Sequence, residues 1–377
     1  MPAQRSVSGH RAADPMRLLF LSHTADTGIF RVGSHHLSRE LAKRGHLVVH
    51  ASTPVTPAHL ARVQDPDLRR RVRRTLAGPW RDDDGVLHVV TRAPWPPSTG
   101  PHWMRAIAAR ACARTLDAAL TRHGFRDFDV ALIDKPGLSP IIPYLRAKRL
   151  IYRATDSHPD ARSRRHVTRL MSAVDAAVAT STGVLETLGP RTTRMPTLVL
   201  ENGVEFERFQ ASPGPGTGAV YVGALDYRFD WATLAGMAEN YPDVPFRLVG
   251  PANDVPRALP TNVQLIGPVP YDSIPGVLAS AAVGLLPLTD SSVNLGRSPM
   301  KYFEYLAAGL YVVASETPAL RSQPAPGALL YRTQQDAIEA LQTQLSRTGR
   351  NAAGIEAASD FDWAKRAEIL ERFIARL

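Results

Sequence analysis

The sequence predicts an α/β protein built from two Rossmann-like, doubly wound parallel-sheet domains that face each other across a cleft. Short apolar runs alternate with amphipathic helical segments along most of the 377-residue chain, which is typical of parallel sheets covered by helices. A Ser-Pro-Gly-Pro-Gly-Thr-Gly linker at 212–218 separates two halves, and each half opens with a strand followed by a glycine-containing loop. The length also suits two or three domains.

These patterns divide the chain as follows. We expect a disordered tail at 1–15, a first domain at 16–211, the linker at 212–218, a second domain at 219–360 and a C-terminal helix at 361–377 that packs back on the first domain. The tail is polar and has no apolar run of signal-peptide length.

Composition excludes several classes of protein. The single cysteine, Cys112, excludes an intrachain disulfide and a cysteine zinc site, and it favours a reducing cytoplasmic setting. No run of about 18 apolar residues occurs, so we expect no membrane-spanning helix. The net charge is +10, but residues 1–190 carry 29 Lys and Arg against 16 Asp and Glu, whereas residues 191–377 carry 16 against 19. This asymmetry favours a polyanionic partner, with the arginine bias of a GC-rich genome as the alternative.

The first half also interleaves arginines with tryptophans. The segment contains Arg69, Arg70, Arg71, Arg73, Arg74, Trp80, Trp95 and Trp103. Such a mixture suits an anionic membrane surface, where aromatic rings lie at headgroup depth. Single-stranded nucleic acid and a solvated basic helix beside buried tryptophans are the alternatives. No zinc-finger or RNP-type pattern occurs, so we expect no nucleic-acid partner. The arginines and tryptophans lead us to expect a peripheral position on the inner face of the cell membrane.

The start of the first domain has a βαβ pattern. Met16–Leu21 and Leu47–Ala51 are predicted strands that flank a helix at Ser34–Arg44. The G-x-G-x-x-G spacing of dinucleotide sites is absent. The loop between the first strand and the helix, which contains His23 and Gly33, should lie at the carboxyl edge of the sheet, where ligands bind. Although His35 and His36 follow nearby, no carboxylate–His spacing supports a metal, and we expect none.

Asp156 is the best candidate for a general base. It follows a predicted strand at Leu150–Arg153, and a carboxylate just past the end of a parallel strand faces the ligand crevice. His158 and Asp160 are weaker candidates for the same role. The alternative is that Asp156 caps the following helix.

The segment from Ser298 to Ser315 is the main candidate for binding a phosphorylated ligand. Ser298 and Pro299 predict a helix start, the helix runs from Met300 to Ala308, and Gly309 ends it before a short strand. Lys301 and Glu304 share one face of this helix. A cation beside a helix N-terminus suits a diphosphate, and a carboxylate one turn further suits a ribose diol. An ordinary surface Lys–Glu pair is the alternative.

Several of these segments together resemble a known family. The motifs are Asn202-Gly203-Val204-Glu205, Tyr221-Val222-Gly223, the glycines Gly250 and Gly267, and Met300-Lys301 through Glu304 to Gly309. They resemble, in order and over nearly the whole chain, the two-domain nucleotide-sugar glycosyltransferases of the GT-B fold. The resemblance implies that the second domain holds the donor and the first holds the acceptor.

The resemblance also implies roles for individual residues. Glu304 would hold the donor ribose, while Lys301 and its helix start, with Ser298 and Met300, would hold the diphosphate. The loop from Gly267 through Val269 to Tyr271 would cradle the base. The remaining implied positions are Gly223 and Gly250 on the donor side, and Gly33, His23, Arg153 and His158 on the acceptor side. The expected donor is a UDP-sugar, and the resemblance implies neither a metal nor another cofactor, because the cation and the helix N-terminus would neutralise the departing diphosphate.

One departure narrows the resemblance. Retaining members of this fold carry a glutamate eight residues before the ribose glutamate, and Gly296 occupies that position here. The Ser-Pro-Met-Lys helix start, the chain length and the placement of Asp156 resemble the inverting bacterial glucuronosyltransferases of xanthan-type exopolysaccharide assembly, the GumK-like group. That group uses a lipid-linked acceptor at the inner membrane, and it has a glutamine where this chain has Glu304.

Other functions fit the same pattern. A retaining GT-B glycosyltransferase could act on a soluble or natural-product acceptor, and a sugar-nucleotide epimerase could use the same fold. A binding module without catalysis could use its basic half to hold anionic lipid or nucleic acid.

Overall fold

A computed structural model describes residues 14–26, 31–60, 66–158, 160–210, 216–253, 255–294, 296 and 298–377. Most of the predicted tail and most of the predicted linker lie outside these residues. Within the described part of the chain, no helix is both long enough and apolar enough to cross a bilayer.

The first domain is built on one sheet. Its strands are β1 (Arg17–Ser22), β2 (Leu47–Val55), β3 (Trp80–Arg81), β4 (Leu87–Arg92), β5 (Phe128–Ile133), β6 (Ala147–Ala154), β7 (Ala176–Ala179) and β8 (Thr197–Val199). They lie in the order β3-β4-β2-β1-β5-β6-β7-β8, and every pairing except that of the edge strand β3 is parallel. The helices are α1 (Gly33–Lys43), α2 (Pro57–Leu60), α3 (Pro66–Ala77), α4 (His102–Arg122), α5 (Ala161–Ala173), α6 (Thr182–Glu186) and α7 (Phe206–Gln210), with 3₁₀ turns at Pro136–Tyr144 and Pro190–Arg194.

The second domain repeats this architecture. Its strands are β9 (Ala219–Val222), β10 (Phe246–Val249), β11 (Val263–Gly267), β12 (Val283–Leu286), β13 (Tyr311–Ser315) and β14 (Ala328–Tyr331), in the order β11-β10-β9-β12-β13-β14. All pairings are parallel. The helices are α8 (Trp231–Asn240), α9 (Ile274–Ala279), α10 (Met300–Ala307), α11 (Pro318–Arg321), α12 (Gln334–Leu345), α13 (Ala352–Ser359) and α14 (Trp363–Ile374), with a 3₁₀ turn at Tyr271–Ser273.

The predicted fold class, two doubly wound parallel-sheet domains, is therefore confirmed. In each sheet the chain reverses direction across the sheet beside the first strand of the domain, between β1 and β5 and between β9 and β12. Ligands of doubly wound sheets bind outside the carboxyl ends of the strands at this switch point.

The C-terminal helix α14 belongs spatially to the first domain. Its buried residues Trp363 and Leu370 share an apolar cluster with Leu37 of α1 and Phe20 of β1. Glu371 anchors the helix, because its carboxylate accepts a hydrogen bond from Arg44 Nε at 2.5 Å and lies 3.1 Å from His46 Nε2. The chain thus crosses between the domains twice.

The three tryptophans of the basic segment differ in their exposure. Trp95 is half-buried, and its Nε1 donates to the carbonyl of Met104 at 3.1 Å. Trp80 stacks on His88, with ring centroids 5.0 Å apart. Trp103 is 61% exposed. Trp80 and Trp95 thus pack against the domain, as in the alternative with buried tryptophans, whereas Trp103 is exposed, and contact with a membrane stays a prediction.

Candidate active site

Both domains contribute to one cleft at the carboxyl edges of the two sheets. The cavity measures about 320 Å³. Its lining includes the predicted residues His23, Gly33, Arg153 and Asp156 from the first domain, and Ser298, Met300 and Lys301 from the second. Seven candidates from four separate segments of the sequence therefore meet in one place.

Asp156 lies just beyond the end of β6, on the first-domain wall of the cleft. Its Oδ2 accepts a hydrogen bond from Thr155 Oγ1 at 3.3 Å. The following helix, α5, is capped by Asp160 instead, whose Oδ1 accepts from the backbone N–H of Ser163 at 2.8 Å. Helix capping thus explains Asp160 and leaves the position of Asp156 to be explained by the cleft.

A buried ion pair organises the wall around Asp156. Arg153 donates from Nε and Nη2 to the two carboxylate oxygens of Asp134, at 2.9 and 2.7 Å, and both side chains are almost fully buried. This fork geometry holds the guanidinium in one orientation. Burial lowers the pKa of the neighbouring His23, although the carboxylates of Asp134 and Asp156 oppose that shift. His23 is therefore neutral near pH 7.

His158 does not line the cleft. It lies in a neighbouring cavity together with Ser157. Burial lowers the pKa of His158, and the charge of Asp156 opposes this effect. The structure thus separates His158 from the other acceptor-side candidates, while keeping it within electrostatic reach of Asp156.

The three predicted donor-side glycines lie at the ends of second-domain strands and are not among the residues that line the cleft. The predicted glycines Gly223, Gly250 and Gly267 lie at the carboxyl ends of β9, β10 and β11. The N–H of Gly223 donates to the carbonyl of Val249 at 2.8 Å, and that of Gly250 donates to the carbonyl of Gly267 at 2.9 Å. A Cβ atom at Gly250 would collide with the carbonyl oxygen of Gly223. The ends of β9 and β10 are therefore packed too closely for a side chain at Gly250.

Lys301 lies in the first turn of α10, next to Gly223. A Cβ atom at Gly223 would collide with Lys301 Cε, so the glycine provides the space that the lysine occupies. The N-cap residue of α10, Pro299, provides no side-chain acceptor for the first N–H groups of the helix. A cation and a helix N-terminus therefore point into the same part of the cleft, which suits an anionic group.

Ser298 differs from its expected role at the helix start. It precedes the N-cap, and its Oγ accepts a hydrogen bond from the N–H of Asn202 at 3.2 Å. Asn202 Nδ2 also donates to the carbonyl of Ser298 at 2.7 Å. Ser298 thus fastens the start of α10 to the segment that joins the two domains.

Glu304 lies deeper than its expected ribose-binding role suggests. It is 5% exposed, and it is not among the residues that line the cleft. Burial raises the pKa of Glu304 to about 7, the nearby Lys301 opposes the rise, and Glu205 adds to it. The carboxyl group therefore changes charge near neutral pH.

Tyr271 and Val269 of the predicted base-binding loop have structural contacts. Val269 packs against the core of the second domain. The guanidinium carbons of Arg31 and Arg208 lie 5.0 and 5.5 Å from the centroid of the Tyr271 ring. Because Arg31 belongs to the first domain, the Tyr271 ring contacts both sides of the interdomain boundary.

Among the cleft residues that were not predicted as site residues are the two arginines Arg31 and Arg228, and Asn202, which was identified only as part of a motif. Arg228 follows the end of β9 by six residues and is held by Asp226, whose Oδ1 accepts from Arg228 Nε at 2.8 Å. Its position after the first strand of the domain is a signal that could have identified it. Arg31 could not be identified in this way, because its neighbours come from distant segments.

One side-chain group outside the cleft has the spacing of a metal site. Asp26, Asp82 and His88 place one ligand atom each within 4.8 Å of one another. Arg39 donates to both carboxylates, at 3.2 Å to Asp82 and at a shorter distance to Asp26. The guanidinium already neutralises these acids, so we interpret the group as an ion-pair cluster.

Gly296, the position of the glutamate in retaining relatives, packs tightly against the first domain. A Cβ atom there would approach Val184 Cγ2 to 2.8 Å. The carbonyl of Gly296 accepts from Ser181 Oγ at 2.6 Å. The position therefore lacks both the carboxylate and the space for one.

Two family models match the chain. Residues 20–174 match the N-terminal domain of the glucuronosyltransferase GumK, and residues 231–372 match a glycosyl transferase-like domain. Each model covers less than half of the chain. The matched ranges correspond to the first domain up to α5 and to the second domain from α8 onward.

Comparisons with single proteins find one similar glycosyltransferase sequence and two structures of similar fold. A putative teichuronic acid biosynthesis glycosyltransferase, TuaH of Bacillus subtilis, is 29% identical over 144 residues, which is 34% of this chain and 36% of that protein. The match thus spans about a third of the relative's length. Anabaena HepE, solved with UDP and glucose, has a TM-score of 0.67 at 14% identity, over 96% of this chain and 100% of HepE. An α,α-trehalose 6-phosphate synthase from Burkholderia multivorans has a TM-score of 0.65 at 13% identity, over 96% and 98% of the chains.

Proposed function

We propose a specific reaction for this chain, which is a glycosyltransferase of the GT-B fold that resembles the GumK glucuronosyltransferases. It transfers a sugar from a UDP-sugar to a membrane- or lipid-linked glycan acceptor, with inversion and without a metal ion. Glucuronate is the candidate sugar, and exopolysaccharide or cell-surface glycan synthesis is the candidate process. The matches to GumK and to a teichuronic acid glycosyltransferase support both candidates.

One observation carries this proposal: Asp156 and Lys301 line the same cleft from opposite domains. Asp156 accepts the proton of the acceptor hydroxyl as its oxygen attacks the anomeric carbon. Lys301 and the N-terminal N–H groups of α10 stabilise the negative charge that develops on the departing diphosphate. A base in this position is worth about 10²–10⁴-fold in rate.

The inverting outcome is supported by the packing around Gly296. A retaining enzyme of the type that uses a glutamate at this position would need room that Val184 occupies. A single displacement assisted by Asp156 needs no group there.

Epimerisation is a weaker alternative, because it needs acid or base groups in both halves of the cleft. Among the described residues, the second-domain lining of the cleft includes the cations Arg228 and Lys301 and contains no carboxylate. Cations on this side suit the departure of a diphosphate better than the removal of a proton from the sugar.

A membrane partner is supported by one face of the first domain. Helices α2, α3 and α4 carry four large apolar side chains that are 48–72% exposed: Leu60, Leu76, Trp103 and Ile107. Leu60 and Leu76 line an apolar groove of about 420 Å³, together with Ala111 and Thr115 of α4. Trp103, Ile107, Ala111 and Thr115 follow one another at intervals of four along α4, so they lie on one face of that helix. Helix α3 adds exposed arginines. We infer that this face contacts an anionic membrane surface, which places the protein peripherally on the inner face of the cell membrane.

Turnover assays test the proposed function. Purified protein is incubated with UDP-glucuronate, UDP-glucose or UDP-galactose, an extract of bacterial lipid-linked glycans and a metal chelator, and released UDP and glycolipid product are measured. We expect UDP release that depends on the extract and a product with the anomeric configuration opposite to that of the donor, determined by NMR. Isomerised sugar nucleotide without glycolipid product would favour the epimerase, and retained configuration would overturn the inverting mechanism.

A further inference from the structure

The two segments in which the chain crosses between the domains pair with each other. The first crossing joins Leu200, in an apolar cluster of the first domain, to Val204, in the core of the second. The second crossing leads from Phe361 to Trp363. The N–H of Val204 donates to the carbonyl of Phe361 at 2.9 Å, and the N–H of Trp363 donates to the carbonyl of Val204 at 3.1 Å. The domains are therefore joined by a short paired connection.

Asn202 lies on the first crossing, between these two apolar clusters, and it lines the cleft. Its Nδ2 donates to the carbonyl of Ser298 at 2.7 Å, and its backbone N–H donates to Ser298 Oγ at 3.2 Å. Its Oδ1 faces the first domain, because a Cβ atom at Gly33 would lie 2.9 Å from it. Gly33 is the first residue of α1, and Ser298 precedes the N-cap of α10. One side chain thus spans the gap between the starts of two helices from different domains.

The loop between β12 and α10 has further contacts with the first domain. Ser157 Oγ donates to the carbonyl of Ser292 at 2.9 Å, and Ser181 Oγ donates to the carbonyl of Gly296 at 2.6 Å. The Asn202 bonds follow closest to the helix, at its start. The loop that leads into α10 is therefore fastened to the first domain and to the first crossing along its length.

Helix α10 itself is fixed to the second domain. Tyr302 and Phe303 are each 1% exposed and belong to the core of that domain. Lys301 Cε occupies the space beside Gly223 at the end of β9. Lys301 therefore keeps its place relative to the second-domain strands, whereas its distance from Asp156 depends on how the two domains are held together.

We propose that Asn202 is a positioning residue that sets the distance across the cleft between Asp156 and Lys301. It does so by fixing the start of α10 against the start of α1. This inference rests on the proposed function, because it concerns sugar transfer between these two walls. With the Ser298 bonds intact, an acceptor hydroxyl beside Asp156 and the anomeric carbon of a donor held at Lys301 come within reach of each other. A misplacement of reacting groups by about 1 Å costs about 10²-fold in rate.

Kinetics and binding of full-length variants test this role. Asn202→Ala removes the carboxamide, and Asn202→Asp keeps its size but replaces the Nδ2 donor with an acceptor. Glu201→Gln is the matched control, because Glu201 lies on the same crossing, pairs with Arg366 at 3.2 Å and is not among the residues that line the cleft. We expect kcat to fall about 10–10²-fold in both Asn202 variants and to stay at the wild-type value in Glu201→Gln.

Binding of UDP distinguishes positioning from direct contact with the donor. Because α10 and Lys301 stay seated in the second domain, calorimetry should give UDP affinities within about twofold of wild type for both Asn202 variants. Thermal melts confirm that the variants are folded at the assay temperature. A loss of UDP affinity that matches the loss of kcat would make Asn202 a donor-binding residue and would overturn the positioning role.

A distance measurement tests the role without any turnover. Arg122→Cys and Glu239→Cys introduce nitroxide labels at exposed ends of α4 and α8, one in each domain, while the native Cys112 is buried. Pulsed electron–electron double resonance then gives the distribution of distances between the domains. We expect a narrow distribution in the doubly labelled protein and a broader one when Asn202→Ala is added.

Other outcomes also decide the matter. Wild-type kcat in Asn202→Ala, or an unchanged distance distribution, would overturn the proposal. An equal fall of kcat in Glu201→Gln would overturn it as well, since any weakening of the crossing would then have the same effect. If no donor supports turnover by the wild type while Asn202→Ala broadens the distribution, the proposed function fails, and the part of Asn202 in holding the two domains together remains supported.

Discussion

The two domains share one topology, yet their carboxyl edges are chemically opposite. The first-domain edge presents charged and titratable side chains, His23, Arg153 and Asp156, supported by the buried Asp134. On the second-domain side, β9, β10 and β11 end at glycines, and the charged side chains that line the cleft are the cations Arg228 and Lys301. In the proposed reaction this difference matches a division of roles, with a carboxylate on the first-domain side to accept a proton and cations on the second-domain side to hold the diphosphate.

The largest effect on activity is expected at the first-domain edge. Asp156→Asn removes the proton acceptor but preserves the size of the side chain, so turnover should fall by about 10²–10⁴-fold. Asp160→Asn is the matched control, because this exposed residue caps α5 and does not line the cleft. Initial rates of UDP release measure both variants, and unchanged turnover in Asp156→Asn would remove the residue from the role of base.

The buried pair behind Asp156 should dominate stability. Arg153→Met leaves Asp134 without its partner in a buried site, which costs about 3–5 kcal/mol of unfolding free energy. Arg149→Met is the control, since Arg149 pairs with Asp175 at the surface at 3.8 Å, where such pairs contribute about 0–1 kcal/mol. Urea denaturation of both variants makes the comparison, and equal losses would mean that Arg153 does not organise this edge.

At the second-domain edge, adding a single methyl group should be enough to impair donor binding. Gly223→Ala places Cβ against Lys301 Cε, so the lysine must move, and we expect UDP affinity to fall at least tenfold. Gly276→Ala is the control, because nothing lies within 4 Å of its Cβ position in helix α9. If Gly223→Ala binds UDP as tightly as Gly276→Ala, the space that Gly223 leaves for Lys301 is not needed for UDP binding.

A smaller, pH-dependent effect should separate the roles of Glu304. With its pKa raised to about 7, the side chain is mostly ionised at pH 8 and mostly protonated at pH 6. If the carboxylate accepts hydrogen bonds from the donor ribose, UDP affinity should rise up to about tenfold from pH 6 to pH 8. The UDP affinity of Glu304→Gln should not show this rise between pH 6 and pH 8. Calorimetry measures both proteins, and identical pH profiles for wild type and Glu304→Gln would exclude Glu304 from donor binding.

Linkage predicts the opposite trend for the protein without ligand. The native state holds the Glu304 proton to higher pH than the unfolded state, whose value is near 4.5. Stability therefore falls as the pH rises from about 4.5 through about 7, relative to Glu304→Gln. Thermal melts of the two proteins across this range measure the difference.

Local signals explain which parts of the structure could be predicted. Helix α10 and strand β13 were predicted to within one or two residues, because Gly309 and the apolar pattern mark their ends. Strand β4 was not predicted, since its sequence, Leu-His-Val-Val-Thr-Arg, follows an acidic turn and mixes polar with apolar residues. The capping alternative for Asp156 stayed open in sequence, because Asp160 offers the same side chain four residues later.

The contacts that define the site depend on tertiary structure. The Asp134–Arg153 pair joins two adjacent strands in the sheet, and the bonds between Asn202 and Ser298 join segments almost a hundred residues apart. No local pattern reports such contacts. The buried position of Glu304 was also invisible, because its helical spacing from Lys301 is the same in a surface pair.

A calorimetric titration with UDP in metal-free buffer is the most direct test of the proposed roles, proton acceptance by Asp156 and diphosphate binding by Lys301. Wild type, Asp156→Asn and Lys301→Ala are compared at one pH. We expect equal affinity for wild type and Asp156→Asn, and at least tenfold weaker binding for Lys301→Ala. Wild-type affinity in Lys301→Ala, or loss of binding in Asp156→Asn, would contradict the proposed roles of the two residues.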